Sequence, residues 1–316
     1  MRVLITGAMP DRINNNLMMR NYLVAGFSEI IGADNVKETD LFLCEDLTGT
    51  FKPDLVIVFG SCMPHESEYG ALRQTCTKHG AALIFWLHDD PYEFDYKYKV
   101  VDYADAIFTN DRWASRHYGR DRVFHLPMAA HKEAHYRPLS GEKTIDIFFC
   151  GVAFDNRTLM LDGLKSVLQE YNTQIFGDGW DIGRFPFTKN KRIPNKQLSD
   201  YYAASHLTLN LGRNLHYANK CYQLTPSTPG PRTFEAAMAG TVQLYFADSL
   251  EITDYYEPDK EIILFDSSRD FKEKVVELLN SPEKTAAIAE AAQKRTLRDH
   301  TYTVRAKELL DIMASL

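Results

Sequence analysis

Short apolar runs alternate with helical patterns along most of the chain, and this alternation constrains the fold more than any other feature. Alternation of this kind is typical of parallel sheets covered by helices. The first series of predicted strands lies at 2–6, 55–59, 82–87, 106–109 and 123–126. The second series lies at 145–150, 173–176, 207–211, 242–246 and 262–265. The sequence therefore predicts an α/β protein with two Rossmann-like sheets.

Two series of strands indicate two domains. A chain of 316 residues also exceeds one typical hydrophobic core. The polar stretch 131–143, which holds Pro138 and Gly141, is the predicted linker. We expect an N-terminal domain at 1–138, a C-terminal domain at 143–299 and a last helix at 300–316. Earlier helices are predicted at 16–31, 66–79 and 112–118.

Composition narrows the class of protein. Hydrophobic residues make up 45% of the chain, which is typical of a globular protein. The five cysteines are odd in number and show no CxxC spacing, so reduced thiols and a cytoplasmic location are expected. No apolar run reaches the length of a membrane span. A net charge of -7 argues against a protein that mainly binds polyanions.

The segment 225–240 predicts a charged ligand site at the start of a helix. Pro231 suits the first helical position and Gly240 ends the run, so Arg232 and Glu235 lie one turn apart on one face. The helix start offers backbone N–H groups, Arg232 adds a cation, and Glu235 can accept hydrogen bonds from hydroxyls. A nucleoside diphosphate with its ribose fits this pattern. The alternative is a capped surface helix with solvated charges.

Several motifs, taken in order, resemble those of the CgeB-like glycosyltransferases and, more loosely, of the retaining GT-B glycosyltransferases. They are 86–91 (WLHDDP), 105–111 (DAIFTND), 125–129 (HLPMA), 146–151 (DIFFCG) with Arg157, 175–180 (IFGDGW), 209–213 (LNLGR), 232–235 (RTFE) and 300–305 (HTYTVR). The resemblance implies a GT-B fold, in which the two domains face each other across a cleft. It implies that the first domain serves the acceptor, that the second binds the nucleotide sugar, and that the last helix crosses back to the first domain.

Three loops of the second domain follow strand ends, where open parallel sheets bind ligands. After Gly151, Arg157 either joins Arg232 around one diphosphate or pairs with a neighbouring carboxylate. Gly179 and Trp180 form either a nucleobase slot or a glycine turn beside a packed ring.

The third loop contains Asn210 and Arg213, which either reach a sugar or phosphate or hold the loop 214–229. Thr233, between Arg232 and Glu235, is counted with the substrate-binding residues.

In the first domain, His88, Asp89 and Asp90 follow a strand at the expected ligand edge. These carboxylates can orient or deprotonate an acceptor hydroxyl or steady a sugar cation, whereas the alternative for Asp90 is a cap after Pro91. The loop 7–10, which begins with Gly7, is expected beside them.

The chemistry requires stabilisation of the charge that develops on the leaving phosphate, and two arginines with a helix start supply it without a metal. His131 and His135 have helical spacing but no third metal ligand nearby, so no metal site is assigned there. No cofactor is expected beyond a nucleoside-diphosphate sugar, with a UDP-sugar favoured. Retention is favoured, although the wider group pairs two glutamates separated by seven residues. Glu235 matches the second of them, whereas this chain has Ser227 at the first position.

Other functions stay open on the same fold, namely a nucleotide-sugar epimerase and a non-catalytic nucleotide-sugar binding protein. A transferase acting on nucleic acid bases is a further alternative, because Lys189 and Arg192 flank a basic stretch near Phe185 and Phe187. The acceptor is therefore a small molecule, a glycan, a protein or a base, and neither the acceptor nor the oligomeric state can be derived from the sequence.

Overall fold

The chain forms two compact units, each built on a six-stranded sheet. The computed structural model describes residues 1–7, 16–61, 66–214, 216–247 and 250–316. The first unit comprises Met1–Met128, His216–Thr228 and Tyr302–Leu316. The second comprises Ala129–Leu215 and Pro229–Thr301. The expectation of two Rossmann-like parallel sheets is confirmed.

The sheet of the first unit is entirely parallel and has the order β2-β1-β3-β4-β5-β6. Its strands are β1 (Val3–Gly7), β2 (Val36–Thr39), β3 (Leu55–Gly60), β4 (Ala82–Leu87), β5 (Ala106–Thr109) and β6 (Val123–His125). Its helices are α1 (Asn16–Ile31), α2 (Cys44–Phe51), α3 (Glu66–His79), α4 (Tyr98–Val101), α5 (Arg112–Ser115) and the final helix α12 (Tyr302–Ala314).

The final helix packs closely on α1, and a glycine makes this packing possible. A Cβ atom on Gly26 would lie 2.7 Å from the backbone carbonyl carbon of Tyr302. The Tyr302 ring is buried, with its centroid 6.4 Å from that of Trp86 in β4. The last segment of the chain therefore completes the core of the first unit.

The segment 216–228 is attached to the first unit by two carboxylates. Asp95 accepts backbone hydrogen bonds from three successive residues, with the shortest, from Lys220 N, at 2.6 Å. Asp111 caps α5 by accepting from Ala114 N at 2.8 Å, and its other oxygen accepts from Ser227 N at 2.8 Å. Because Leu224 is also buried in the core of this unit, the segment is an integral part of it.

The sheet of the second unit is also parallel and has the order β12-β11-β10-β7-β8-β9. Its strands are β7 (Ile145–Cys150), β8 (Thr173–Gly177), β9 (Thr188–Asn190), β10 (Ser205–Asn210), β11 (Val242–Phe246) and β12 (Ile263–Phe265). Its helices are α6 (Lys132–His135), α7 (Asp155–Leu168), α8 (Asn195–Ala203), α9 (Pro231–Ala239), α10 (Ser268–Leu279) and α11 (Pro282–Asp299).

All ten predicted strands are confirmed to within two residues at each end, whereas β2 and β9 were not predicted. The contact division also differs from the expected domain boundaries. Residues 129–138 lie in the second unit, and 216–228 lie in the first. The proposed linker includes α6, whose His135 is buried, so this part of it is packed structure.

Within the described ranges, no helix is both long and apolar enough to cross a membrane. The cytoplasmic location stays a prediction.

Candidate functional site

The order of the second sheet reverses between β7 and β10, and ligands of open parallel sheets bind at such a point. Arg157, in the first turn of α7, spans the two loops that diverge there. Its Nε donates to the Gly212 carbonyl at 2.9 Å and its Nη2 donates to the Leu211 carbonyl at 3.1 Å. Its Nη1 donates to the Val152 carbonyl at 3.0 Å. Arg157 thus binds backbone carbonyls of both loops, and its cation lies at the reversal point.

The glycine turn after β8 packs against the loop after β7. A Cβ on Gly177, whose φ is +138°, would lie 1.9 Å from the Gly151 carbonyl oxygen. The same carbonyl accepts the indole N–H of Trp180 at 3.0 Å. Trp180 is only 2% exposed and packs edge-to-face on Phe149. This arrangement corrects the predicted nucleobase slot, because the Trp180 ring belongs to the core, where it fixes the backbone at Gly151.

A network of side-chain hydrogen bonds holds the start of α9 on the sheet. The Asn210 amide, at the end of β10, donates to Thr233 Oγ1 at 2.8 Å and to Gln243 Oε1 at 2.7 Å. Gln243, in β11, returns a hydrogen bond to the Thr233 carbonyl at 2.9 Å. Asn210 and Thr233 therefore position the helix, and the roles in ligand binding predicted for them stay predictions.

The helix begins and ends as predicted. Pro231 occupies its first turn, and Gly240 ends it in the left-handed conformation at φ 81°. Arg232 Nη1 donates to Glu235 Oε2 at 2.6 Å. The Glu235 side chain is 10% exposed and that of Arg232 is 36% exposed. The two charges are thus paired within the first turn of α9, with the arginine nearer to solvent, and the alternative of two merely solvated side chains is wrong.

Burial opposes ionisation of both members of this pair, but their mutual attraction outweighs it. The Arg232 guanidinium, with a contribution from His135, holds the pKa of Glu235 below its usual value. Conversely, the Glu235 carboxylate raises the pKa of Arg232. The first turn of α9 therefore carries a fixed cation beside a fixed carboxylate.

His135 is a neighbour of this pair that the sequence analysis did not assign to the site. Its Nε2 lies 3.9 Å from Glu235 Oε1, and its side chain is 6% exposed. Its Nδ1 accepts the backbone N–H of His131 at 2.9 Å. Burial lowers the pKa of the His135 imidazole, although Glu235 opposes this effect. Of the two histidines at helical spacing, His131 and His135, the second thus places its imidazole beside Glu235.

Cys150, the last residue of β7, lies near both Arg157 and Arg232. Burial raises the pKa of its thiol, while Arg232 and, more weakly, Arg157 oppose the increase. The hydroxyl of Tyr202, buried on α8, responds to the same two cations. Arg157 and Arg232 are thus both close enough to the carboxyl end of β7 to influence the pKa of this thiol, and their joint binding of a diphosphate stays a prediction.

Two further predicted residues of the second unit, Arg213 and Gly179, lie in the loops that follow β10 and β8. Arg213 is half-buried after β10, and Gly179 adopts φ +83° in the turn after β8.

The basic stretch 189–192 begins in the edge strand β9. Lys189 lies over the Phe176 ring at 5.0 Å, and Arg192 pairs with Asp178. Phe185 is fully buried, so it cannot stack on a nucleic acid base.

In the first unit, the two adjacent aspartates Asp89 and Asp90 differ in burial and in their contacts. Asp90 is 3% exposed and accepts hydrogen bonds from Thr109 Oγ1 and the Tyr118 hydroxyl, both at 2.6 Å. Asp89 is more exposed, and His88 Nδ1 lies 3.4 Å from its Oδ2. These contacts make Asp90 an anchor of the loop, and the catalytic role predicted for it stays a prediction. The prediction for Asp89 stands untested.

Gly7 ends β1, at the point where the order of the first sheet reverses between β1 and β3. The rest of the predicted loop, residues 8–10, lies outside the described residues. Among the residues that are described, no group of three or more histidine, cysteine, aspartate or glutamate side chains is arranged to hold a metal ion.

Comparison with known proteins identifies the class. Residues 157–311 match a family model described as glycosyl transferase-like. The chain is similar to the spore protein CgeB of Bacillus subtilis (strain 168), with 23% identity over 271 residues, which is 80% of each chain. These matches confirm the predicted resemblance to CgeB-like glycosyltransferases and the predicted enzyme class.

Solved structures share the fold at low identity. The HepE protein of Anabaena, solved in complex with UDP and glucose, matches with a TM-score of 0.64 and 12% identity, over 100% of both chains. Sucrose-phosphate synthase from Thermosynechococcus elongatus matches with a TM-score of 0.65 and 11% identity, over 100% of this chain and 99% of the other. The likeness shows the GT-B fold that the sequence predicted.

We predict that Gly177→Ala destabilises the protein far more than Gly179→Ala does. Both glycines adopt a φ that residues with a Cβ rarely adopt, but only at Gly177 does the added atom meet backbone, 1.9 Å from the Gly151 oxygen. At Gly179 it makes an ordinary 3.6 Å contact. We expect Gly179→Ala to cost about 1–2 kcal/mol and Gly177→Ala at least about 4 kcal/mol in the free energy of unfolding, measured in urea. Equal losses would contradict the close approach.

We predict that Asp90 makes the stability of the protein fall as the pH rises from about 4 to about 7. Burial raises the pKa of its carboxyl to about 7 in the folded chain, against about 3.9 in an unfolded chain. Between these values the folded state holds a proton that the unfolded state has lost, so the unfolding free energy falls by up to about 1.4 kcal/mol per pH unit. Above pH 7 the contribution of Asp90 is constant.

The measurement is the difference in unfolding free energy between wild type and Asp90→Asn at several pH values. This difference should decrease from pH 4.5 to pH 7. Asp121→Asn, at an exposed position of the same unit, is the control, for which the difference should stay flat. A flat difference for Asp90→Asn would show that its folded pKa is ordinary.

Proposed function

We propose that the chain transfers a sugar from a UDP-sugar to an acceptor, without a metal ion and with retention of anomeric configuration. The observation that carries this proposal is the Arg232–Glu235 ion pair near the start of α9, in which the glutamate is buried and the arginine is partly exposed. This helix lies at the carboxyl end of β10. The nucleotide in this proposal follows from the UDP bound to the structural neighbour HepE.

The diphosphate would bind at the start of α9. The first backbone N–H groups of a helix lack intrahelical acceptors, and the helix dipole adds partial positive charge there. Gly230 caps the helix in an extended conformation and has no side chain to cover these groups. Arg232 supplies a full positive charge in the same turn, and Arg157 adds a second at the neighbouring loops. Two cations and a helix start provide the charge stabilisation for which other enzymes use a metal.

The ribose would be recognised by Glu235. Its pKa is lowered in the folded chain, so the group is an ionised acceptor at neutral pH. Arg232 engages Oε2, and Oε1 lies on the side of His135. A carboxylate has about four lone-pair directions, which is enough to hold the arginine and still accept from ribose hydroxyls.

In the proposed reaction, the bond between the anomeric carbon and the phosphate oxygen breaks, and UDP leaves with the bonding electron pair. The acceptor hydroxyl oxygen forms the new bond to the anomeric carbon, and its proton passes to a phosphate oxygen of the leaving UDP. Arg232 and Arg157 stabilise the charge that grows on UDP. Asp89, the more exposed member of the first unit's aspartate pair, is the proposed contact to the acceptor. Retention is proposed from the family resemblance alone, because Ser227 replaces the first glutamate of the wider group.

The test of the donor site is a calorimetric titration with UDP and UDP-glucose in EDTA. We expect binding of both, with dissociation constants unchanged when EDTA is replaced by Mn²⁺. Binding that disappears on chelation and returns with Mn²⁺ would contradict the metal-free site. Absence of binding to UDP under either condition would contradict the proposed function.

We predict that Arg232→Ala lowers donor turnover by about a hundredfold or more, because the lost guanidinium acts on charge that develops in the transition state. Arg232→Lys should lie between this variant and wild type, since a lysine keeps the charge but lacks the planar fork. Lys189→Ala, at the edge strand, is the matched control and should stay within about twofold of wild type. Turnover is measured as UDP release, with thermal unfolding to verify the fold. Wild-type turnover in folded Arg232→Ala would refute the assignment.

A further inference from the structure

We infer that His135 is a positioning residue that fixes the Glu235 carboxylate, and that this arrangement makes the site select ribonucleotides over 2′-deoxyribonucleotides. The inference rests on the proposed function and deepens it, because it assigns the sugar selectivity of the nucleotide site to a residue outside the nucleotide motif. His135 lies 100 residues before Glu235 in the chain, on α6.

The geometry places one group on each side of the Glu235 carboxylate. Arg232 Nη1 holds Oε2 at 2.6 Å, while the His135 imidazole stands 3.9 Å from Oε1. This second distance is too long for a direct hydrogen bond but close enough for a strong charge–dipole interaction between nearly buried groups. Both the His135 and Glu235 side chains are almost excluded from solvent. Rotation of the carboxylate is therefore restricted from both sides.

The backbone of α6 determines which nitrogen of His135 carries the proton. Because Nδ1 accepts the His131 N–H, the proton of the neutral ring is on Nε2, which faces Glu235. Arg232 of α9, Arg137 after α6 and the His131 ring also act on this imidazole. Arg137 is itself paired with Asp200 of α8. The N–H dipole of His135 thus points its positive end at the glutamate without adding a net charge.

This position explains how a single carboxylate can distinguish two sugars. A rotationally fixed Oε1 gains a hydrogen bond from a ribose hydroxyl only if that hydroxyl is present at the matching place. A mobile carboxylate instead averages over orientations and is satisfied by water. A hydrogen bond from a neutral donor to a charged acceptor in a nearly buried site changes affinity by about tenfold or more. The imidazole therefore acts through Glu235, and we expect its effect to disappear when Glu235 is changed.

The experiment measures the affinities for UDP and 2′-deoxy-UDP by calorimetry in EDTA, for wild type, His135→Ala and His135→Gln. We expect wild type to bind UDP at least about tenfold more tightly than the deoxy form. His135→Ala should reduce this ratio to about one, mainly by weakening UDP binding. His135→Gln keeps an N–H donor near the position of Nε2 and should restore part of the ratio. Glu133→Ala, on the same helix but at an exposed position, is the control and should retain the wild-type ratio.

A double-mutant cycle with Glu235→Gln separates positioning from general damage. If His135 acts through the carboxylate, His135→Ala should cause no further loss in the Glu235→Gln background. Additive losses would overturn the inference, as would a wild-type ratio retained in both His135 variants. Wild-type binding without selectivity for ribose would overturn it too, although nucleotide binding itself would stand. Absence of UDP binding in wild type would refute the proposed function as well.

Discussion

The candidate site depends on the hydrogen bonds that join the start of α9 to two neighbouring strands. One amide, that of Asn210, donates to both Thr233 and Gln243, and Gln243 binds back to the Thr233 backbone. A helix whose first turn is fixed in this way cannot slide along the sheet without losing two hydrogen bonds between partly or fully buried groups, those that Thr233 makes with Asn210 and with Gln243. The direction of the helix dipole and the places of Arg232 and Glu235 follow from this attachment.

The sequence predicted the central parts of both sheets because buried parallel strands are continuous apolar runs. It could not predict β2 and β9, which are edge strands with few apolar residues and with one side exposed. Arg232 and Glu235 were predicted because their helix has local start and stop residues, Pro231 and Gly240. His135 was missed because its contact to Glu235 is a long-range one that no local pattern encodes.

Residues that look like ligand contacts in a sequence are in several cases contacts within the protein. The Trp180 indole and the Arg157 guanidinium both donate hydrogen bonds to backbone carbonyls of the loops that follow β7 and β10. Such carbonyls lie beyond the last strand hydrogen bonds and must find donors when they are buried. Similarly, Asp90 supplies an acceptor for two hydroxyl groups inside its unit. Polar residues at strand ends in this protein thus support the loops that follow the strands.

The first unit is assembled from three separated pieces of chain, and this has a consequence for synthesis on the ribosome. The piece Tyr302–Leu316 follows all of the second unit in the chain, yet it supplies the surface on which Gly26 and Trp86 pack. The second unit, in contrast, has all its residues once Thr301 has been translated. The first unit begins to be synthesised before the second, but it cannot complete its core until the second unit has been fully translated. Until then the face of α1 that packs on the final helix stays uncovered.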